Sequence, residues 1–143
     1  MITHVLDTSA WLAHLFREPG YERVSELLLE PGNQVGVSVL SLVEVQARMR
    51  HLNIERRFEE VVTHYRELFA EIVPVSEAIA LRAVALRETA AARVPAIDTL
   101  IAATAAHHSA ALVHRDPHLA ALPDVRRSYW GRKNSTLMTL IGR

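Results

Sequence analysis

At 143 residues, half of them hydrophobic and 22% charged, the chain suits one compact domain with a sizeable core, which excludes wholesale disorder. Its 16 basic and 16 acidic residues cancel to a formal net charge of zero, which argues against a protein that coats polyanions through bulk positive charge. The absence of cysteine excludes disulfides, thiolate catalysis, iron–sulfur clusters and Cys-based zinc sites.

In chain order, residues 2–6 are predicted as a buried strand, and 9–17 and 21–29 as helices separated by Pro19-Gly20. A second strand is expected at 34–39, after the turn Pro31-Gly32-Asn33, then helices at 41–51 and 54–69. Residues 72–75 around Pro74 suit an edge strand or a strand end. Ser76 is expected to cap a helix running to about Arg93, and Pro95 to open the next, to about His108. In that helix Ile97, Leu100, Ile101, Thr104 and Ala105 follow the spacing of one buried face. Residues 111–114 read as a further strand, followed by the turn signal Asp116-Pro117. Alternating strands and helices imply an α/β fold with a parallel sheet covered on both faces. Ligands in such sheets bind beyond the carboxyl ends of the strands.

The N-terminus has no basic segment before its short apolar run, and no stretch is long and apolar enough for a membrane span, so a soluble cytoplasmic protein is expected. Charge is unevenly spread. Residues 1–124 carry 11 basic and 16 acidic side chains, whereas 125–143 carry Arg126, Arg127, Arg132, Lys133 and Arg143 with no acid. Each of the three most apolar stretches holds one lone acid: Asp7 within 1–16, Glu44 within 31–47 and Asp98 within 94–114. Isolated carboxylates are costly to bury unless paired, hydrogen-bonded or bound to a cation. Few basic residues lie nearby in sequence, so a shared cation is the economical explanation. The expected topology puts Asp7 at the end of the first strand, Asp116 just past the last clear one, and Glu44 and Asp98 in first helical turns. Each acid also has a plain structural reading. Asp7 suits a helix cap, Ser41 and Glu44 fit a capping box, Asp98 suits a helix dipole, and Asp116-Pro117 a turn. Four such coincidences together favour a common site.

Carboxylates without a neutralising lysine suit a hard cation, Mg2+ or Mn2+. Such ions bind phosphate oxygens, activate water and neutralise charge developing in phosphodiester cleavage. The hydroxyls of Thr8 and Ser9 are placed to hold a ligand water or a phosphate oxygen. No Gly-rich phosphate loop and no G-x-S-x-G turn is present, which counts against triphosphate chemistry and serine hydrolysis. The adjacent His107 and His108 point roughly 100° apart on a helix and do not suggest a zinc site.

The segments VLDTSAWLA, SVLSLVEVQ, AIDTLIAATA and ALVHRDPHLAAL resemble, in order and spacing, the four acidic motifs of the PIN domain. The resemblance covers residues 1 to about 124 and is nearest to the VapC-type toxins of type II toxin–antitoxin pairs. It implies a three-layer α/β/α fold with a central parallel sheet, and an endoribonuclease dependent on Mg2+ or Mn2+ that hydrolyses RNA. Carried over by motif, Asp7, Glu44, Asp98 and Asp116 are the implied metal-binding and catalytic acids. Ser9 is implied as the hydroxyl supporting the first of them. The resemblance also implies a homodimer and a cognate antitoxin covering the site. Trp11, Leu12, Leu15, Phe16 and residues 27–29 could line the antitoxin's groove or simply form core.

Two features depart from the family pattern. His114 stands where relatives usually have Ser or Thr, two residues before the fourth acid. Residues 125–143 form a basic extension, a last strand or a flexible tail, in which Tyr129 and Trp130 either stack on RNA bases or, as the favoured reading, belong to a disordered or dimer-packed terminus. The competing readings are a catalytically silent PIN-like module that holds RNA or protein, a solitary RNA-processing nuclease without antitoxin, and a phosphatase or receiver domain. The last lacks its late-sheet lysine and its D-x-D pattern here.

Overall fold

The computed structural model describes residues 1–115, 127–129 and 138–140. Short apolar runs form the strands: β1 (His4–Leu6), β2 (Val35–Ser38), β3 (Glu71–Val73) and β4 (Ala111–His114), joined by β5 (Arg127–Tyr129) and β6 (Met138–Leu140). The sheet order is β3-β2-β1-β4-β5-β6. All neighbours pair in parallel except β6, which runs antiparallel to β5. The stretch 125–143 thus supplies two strands of the same sheet. The proline-flanked strand is at an edge, where a missing backbone donor is harmless.

Six α-helices complete the fold: α1 (Thr8–Leu15), α2 (Tyr21–Leu29), α3 (Leu40–His51), α4 (Phe58–Leu68), α5 (Glu77–Thr89) and α6 (Ala96–His107). A 3₁₀ turn, Glu55–Arg57, precedes α4 where one continuous helix was expected. Ser76 caps α5 as expected, its hydroxyl accepting the Ile79 N–H. That helix ends at Thr89 rather than Arg93, where Ala90 turns to extended backbone.

Strand alternation sorts the core into two layers. Val5 and Leu112, paired across β1 and β4, face Ile79, Ala83 and Leu86 of α5 and Ile101 and Ala105 of α6. Leu6 and Val113 face the opposite way, against Trp11, Val24, Val45, Met49 and Tyr65 from α1 to α4. The result is the three-layer α/β/α arrangement expected from the alternation. Gly36, on the α5–α6 side of β2, leaves room that a Cβ would not. Such an atom would lie 3.1 Å from both the Glu71 carbonyl oxygen and Ile2 Cδ1.

Helix α6 differs from its expected pattern. Ile97 is exposed, whereas Thr99 and residues 101–105 are all buried, since α6 packs against both α5 and the sheet. Trp11 is wholly buried and meets Tyr65 and Phe69 edge-on, at centroid distances of 5.3 and 5.2 Å. It is core, not the lining of an open groove. Leu12, Leu15, Phe16, Leu27 and Leu28 pack partly buried against the same core, and only Leu29 of this group stands out into solvent.

Candidate active site

The site grows from the end of β1. The Asp7 backbone N–H continues the ladder to Val113, donating to its carbonyl at 2.9 Å. The chain then turns directly into α1, which Asp7 caps from an extended conformation. Its Oδ2 accepts the Ser9 N–H at 3.2 Å and the Ser9 hydroxyl at 2.7 Å. Capping and the proposed functional role therefore fall on the same carboxylate.

Asp7 is 5% exposed, and its Oδ1 has no hydrogen-bond partner among the described residues. Burial pushes its carboxyl above the ordinary value, the bonds from Ser9 pull the other way, and the nearby charge of Glu44 adds to the rise. A carboxylate with one satisfied oxygen and one buried, unsatisfied oxygen lacks a partner for its charge.

Glu44 arrives from α3. The four-residue rise that buries Ser41, Val45 and Met49 on one face leaves Glu44 half-buried beside them. The Thr8 hydroxyl donates to Glu44 Oε1 at 2.5 Å and lies 2.9 Å from the Ser41 hydroxyl. Thr8 has a single O–H, so the proton order runs from Ser41 to Thr8 to Glu44. This replaces the expected capping box. Val39 caps α3 without a side-chain bond, Ser41 is already inside the helix, and the hydroxyl that steadies its start is Ser38, which accepts the Leu40 N–H. Thr8 and Ser9 are likewise both engaged within the protein rather than open to a ligand. Thr8 and Ser41 as holders of Glu44 were not foreseen; their contact spans 33 residues of sequence.

Ser9 has a second link. Its Oγ accepts the Arg115 N–H at 3.2 Å, which ties α1 to the chain leaving β4. The Arg115 guanidinium turns away from Asp7 to Glu18, at 2.8 Å, so it does not neutralise the carboxylate. Asp98 is half-buried in the first turn of α6. Helix α6 packs against α5 and against β1, β2 and β4, and leads into the start of β4. Asp116 lies outside the described residues, as does Trp130. Among the described residues, no three His, Asp or Glu side chains close around a single point. The structure therefore holds Asp7 through Ser9 and Glu44 through Thr8 and Ser41, with the two carboxylates close enough for their charges to interact.

The donor set is chemically consistent with a hard divalent cation. It is all oxygen, anionic at Asp7 and Glu44, without a neutralising lysine, and it includes a buried carboxylate oxygen lacking a partner.

A model of the PIN domain matches residues 4–125. No curated protein matches the chain. Among solved structures, FitAcB from Neisseria gonorrhoeae is similar at 27% identity, with a TM-score of 0.67 over 87% of this chain and 96% of that one. A toxin-antitoxin complex from Klebsiella pneumoniae is similar at 25% identity and a TM-score of 0.66, over 86% and 95%. VapBC2 from Rickettsia felis, bound to a promoter DNA fragment, shares the fold at 21% identity and a TM-score of 0.75, over 91% and 99%. With the family model spanning nearly all of the described fold, the chain belongs to the PIN domain family.

Proposed function

We propose that this chain is an endoribonuclease dependent on Mg2+ or Mn2+, the VapC-type toxin of a toxin–antitoxin pair. The observation that carries the reading is Asp7, a buried carboxylate at the carboxyl edge of the sheet with one oxygen held by Ser9 and the other lacking a partner. Residues 1–124 form the nuclease domain in this reading and 125–143 its basic extension.

Asp7, Glu44, Asp98 and Asp116 would hold the cation. When bound, the ion supplies water activation and neutralises charge developing on the scissile phosphate. The chain's own side chains set the geometry for that chemistry. Ser9 fixes the Asp7 carboxylate through Oδ2 and leaves Oδ1 for the ligand. Thr8, backed by Ser41, fixes one oxygen of Glu44 and holds that carboxylate near Asp7. The raised pKa of Asp7 reflects the same surroundings, since two carboxylates in a desolvated place resist sharing it without a cation.

A cognate antitoxin and a homodimer are part of the proposal. The antitoxin is supported by similarity to the toxin-antitoxin complex from Klebsiella pneumoniae, which this chain matches over 86% of its length. No helix among the described residues is long and apolar enough to cross a membrane, and we assign the protein to the cytoplasm, where an RNA substrate is met. The test is RNA cleavage with and without Mg2+ by the wild type, Asp7→Asn and Asp98→Asn. Mg2+-dependent cleavage lost in both variants supports the assignment. Cleavage unchanged in the variants would show that the acids are not the active site.

A further inference from the structure

An open cavity of about 350 Å³ lies along the link between α5 and α6, lined by Arg87, Ala90, Ala92, Arg93 and Val94. None of these residues is among those that hold Asp7 and Glu44. The cavity nonetheless adjoins the start of the helix that carries Asp98. Val94 is next to Pro95, the cap of α6, and Asp98 lies in the first turn of that helix. Arg87, near the end of α5, shares the cavity with Val94, so the α5 end meets the start of the helix that carries Asp98.

The charge in this cavity is unbalanced. Arg87 and Arg93 are both exposed, and neither forms an ion pair with a described residue. Arg23, Arg57 and Arg115 are instead engaged by Glu26, Glu60 and Glu18. The rest of the lining is alanine and valine, with no carboxylate. Two guanidiniums over a small apolar floor suit an anion with planar or tetrahedral oxygens, which arginine grips with paired N–H donors. The absence of an aromatic or large aliphatic anchor in the lining counts against a protein partner, whose contacts concentrate on such anchors.

We propose that Arg87 and Arg93 form a phosphodiester-binding arm that holds the RNA strand beside the cleavage site. This rests on the nuclease reading of Asp7, Glu44 and Asp98. An acidic centre repels the strand it must cut, and a pair of positive charges on the link leading into the Asp98 helix counters that repulsion. The alanine and valine floor leaves space for the sugar between successive phosphates.

The test is titration of a fluorescently labelled single-stranded RNA of mixed sequence with the full chain in EDTA, over a series of salt concentrations. The Arg87→Gln/Arg93→Gln variant is expected to bind on the order of 10-fold more weakly near ~0.1 M salt, with a log–log salt slope shallower by about 1.4, or ~0.7 for each single-strand phosphate contact. Arg56→Gln, which removes an exposed arginine of the 3₁₀ turn, is expected to leave both unchanged. In Mg2+, the double variant is expected to raise KM for the same RNA by a similar factor at unchanged kcat. Equal weakening by Arg56→Gln would reduce the effect to bulk charge and overturn the proposal. Unchanged affinity, slope and KM in the double variant, with cleavage intact, would also overturn it, leaving the nuclease reading untouched and the arginines to an acidic protein partner. A wild type that neither binds nor cleaves RNA would overturn both.

Discussion

The hydroxyl of Ser9 donates to Oδ2 of Asp7 at 2.7 Å, and the Ser9 Oγ itself accepts the Arg115 N–H at 3.2 Å. One short side chain thus holds the carboxylate at the end of β1 and the segment leaving β4 in a common frame. Removing it leaves Asp7 Oδ2 only the longer bond from the Ser9 N–H, weakening its hold, and cuts the cross-tie. Ser9→Ala is expected to fold and to lose about 10- to 100-fold in divalent-metal affinity or cleavage rate, the usual cost of deleting a group that orients a ligand. Metal titration and single-turnover cleavage check this. Wild-type values in both would remove Ser9 from the site.

Thr8 is the corresponding holder for Glu44. Thr8→Val keeps the shape but removes the hydroxyl that bridges Ser41 and Glu44, stranding the fully buried Ser41 hydroxyl. The expected cost is about 1–3 kcal/mol of stability, read from urea denaturation, together with reduced cleavage. Thr8→Ser, which restores the hydroxyl, is expected to recover most of the activity.

The positions of the strands, of α2 and of the Ser76 cap were legible in the sequence because local patterns decide them. Residues 21–29 and 111–114 match the observed Tyr21–Leu29 and Ala111–His114. The lone acids at 7, 44 and 98 were legible for a related reason, since a single charge in an apolar run is conspicuous wherever the run folds. The contacts around them were not. Thr8 reaches Ser41 and Glu44 only after β1 and β2 pair, so a local motif, the capping box, was the available reading and was displaced by a tertiary bond. The exposure of Ile97 and the full burial of Trp11 depend on how helices pack on one another, which periodicity within one helix does not reveal.

His14 supplies a pH prediction away from the site. Its Nδ1 lies 2.6 Å from the Tyr65 hydroxyl, and burial lowers its pKa from the ordinary 6.5, reinforced by the neighbouring charges of His64 and Arg17. The folded state therefore keeps His14 neutral where the unfolded chain already binds a proton, and this contribution to stability is lost as pH falls below 6.5 toward the lower folded value. His14→Gln removes the effect. Between about pH 7.5 and 5.5 the wild type is expected to lose more stability in urea than the variant. Equal losses would show that His14 is not held neutral.

Trp11 and Leu29 separate core from surface. Trp11→Ala is expected to cost about 3–5 kcal/mol in the isolated chain, because it empties the space against Tyr65 and Phe69. Leu29 is 75% exposed, and Leu29→Ala is expected to stay within about 0.5 kcal/mol. Thermal or urea midpoints distinguish the two. A mild Trp11→Ala would return that residue to a partner groove.

The role of the unpartnered Asp7 oxygen is tested most directly by calorimetric titration of Mn2+ into the metal-free wild type and Asp7→Asn, both confirmed folded by their unfolding transitions. The expected result is a saturable binding heat for the wild type that is absent or greatly weakened in Asp7→Asn. The same binding curve for both proteins, or no Mn2+ binding by the wild type, would contradict Asp7 as the anchor of a metal centre.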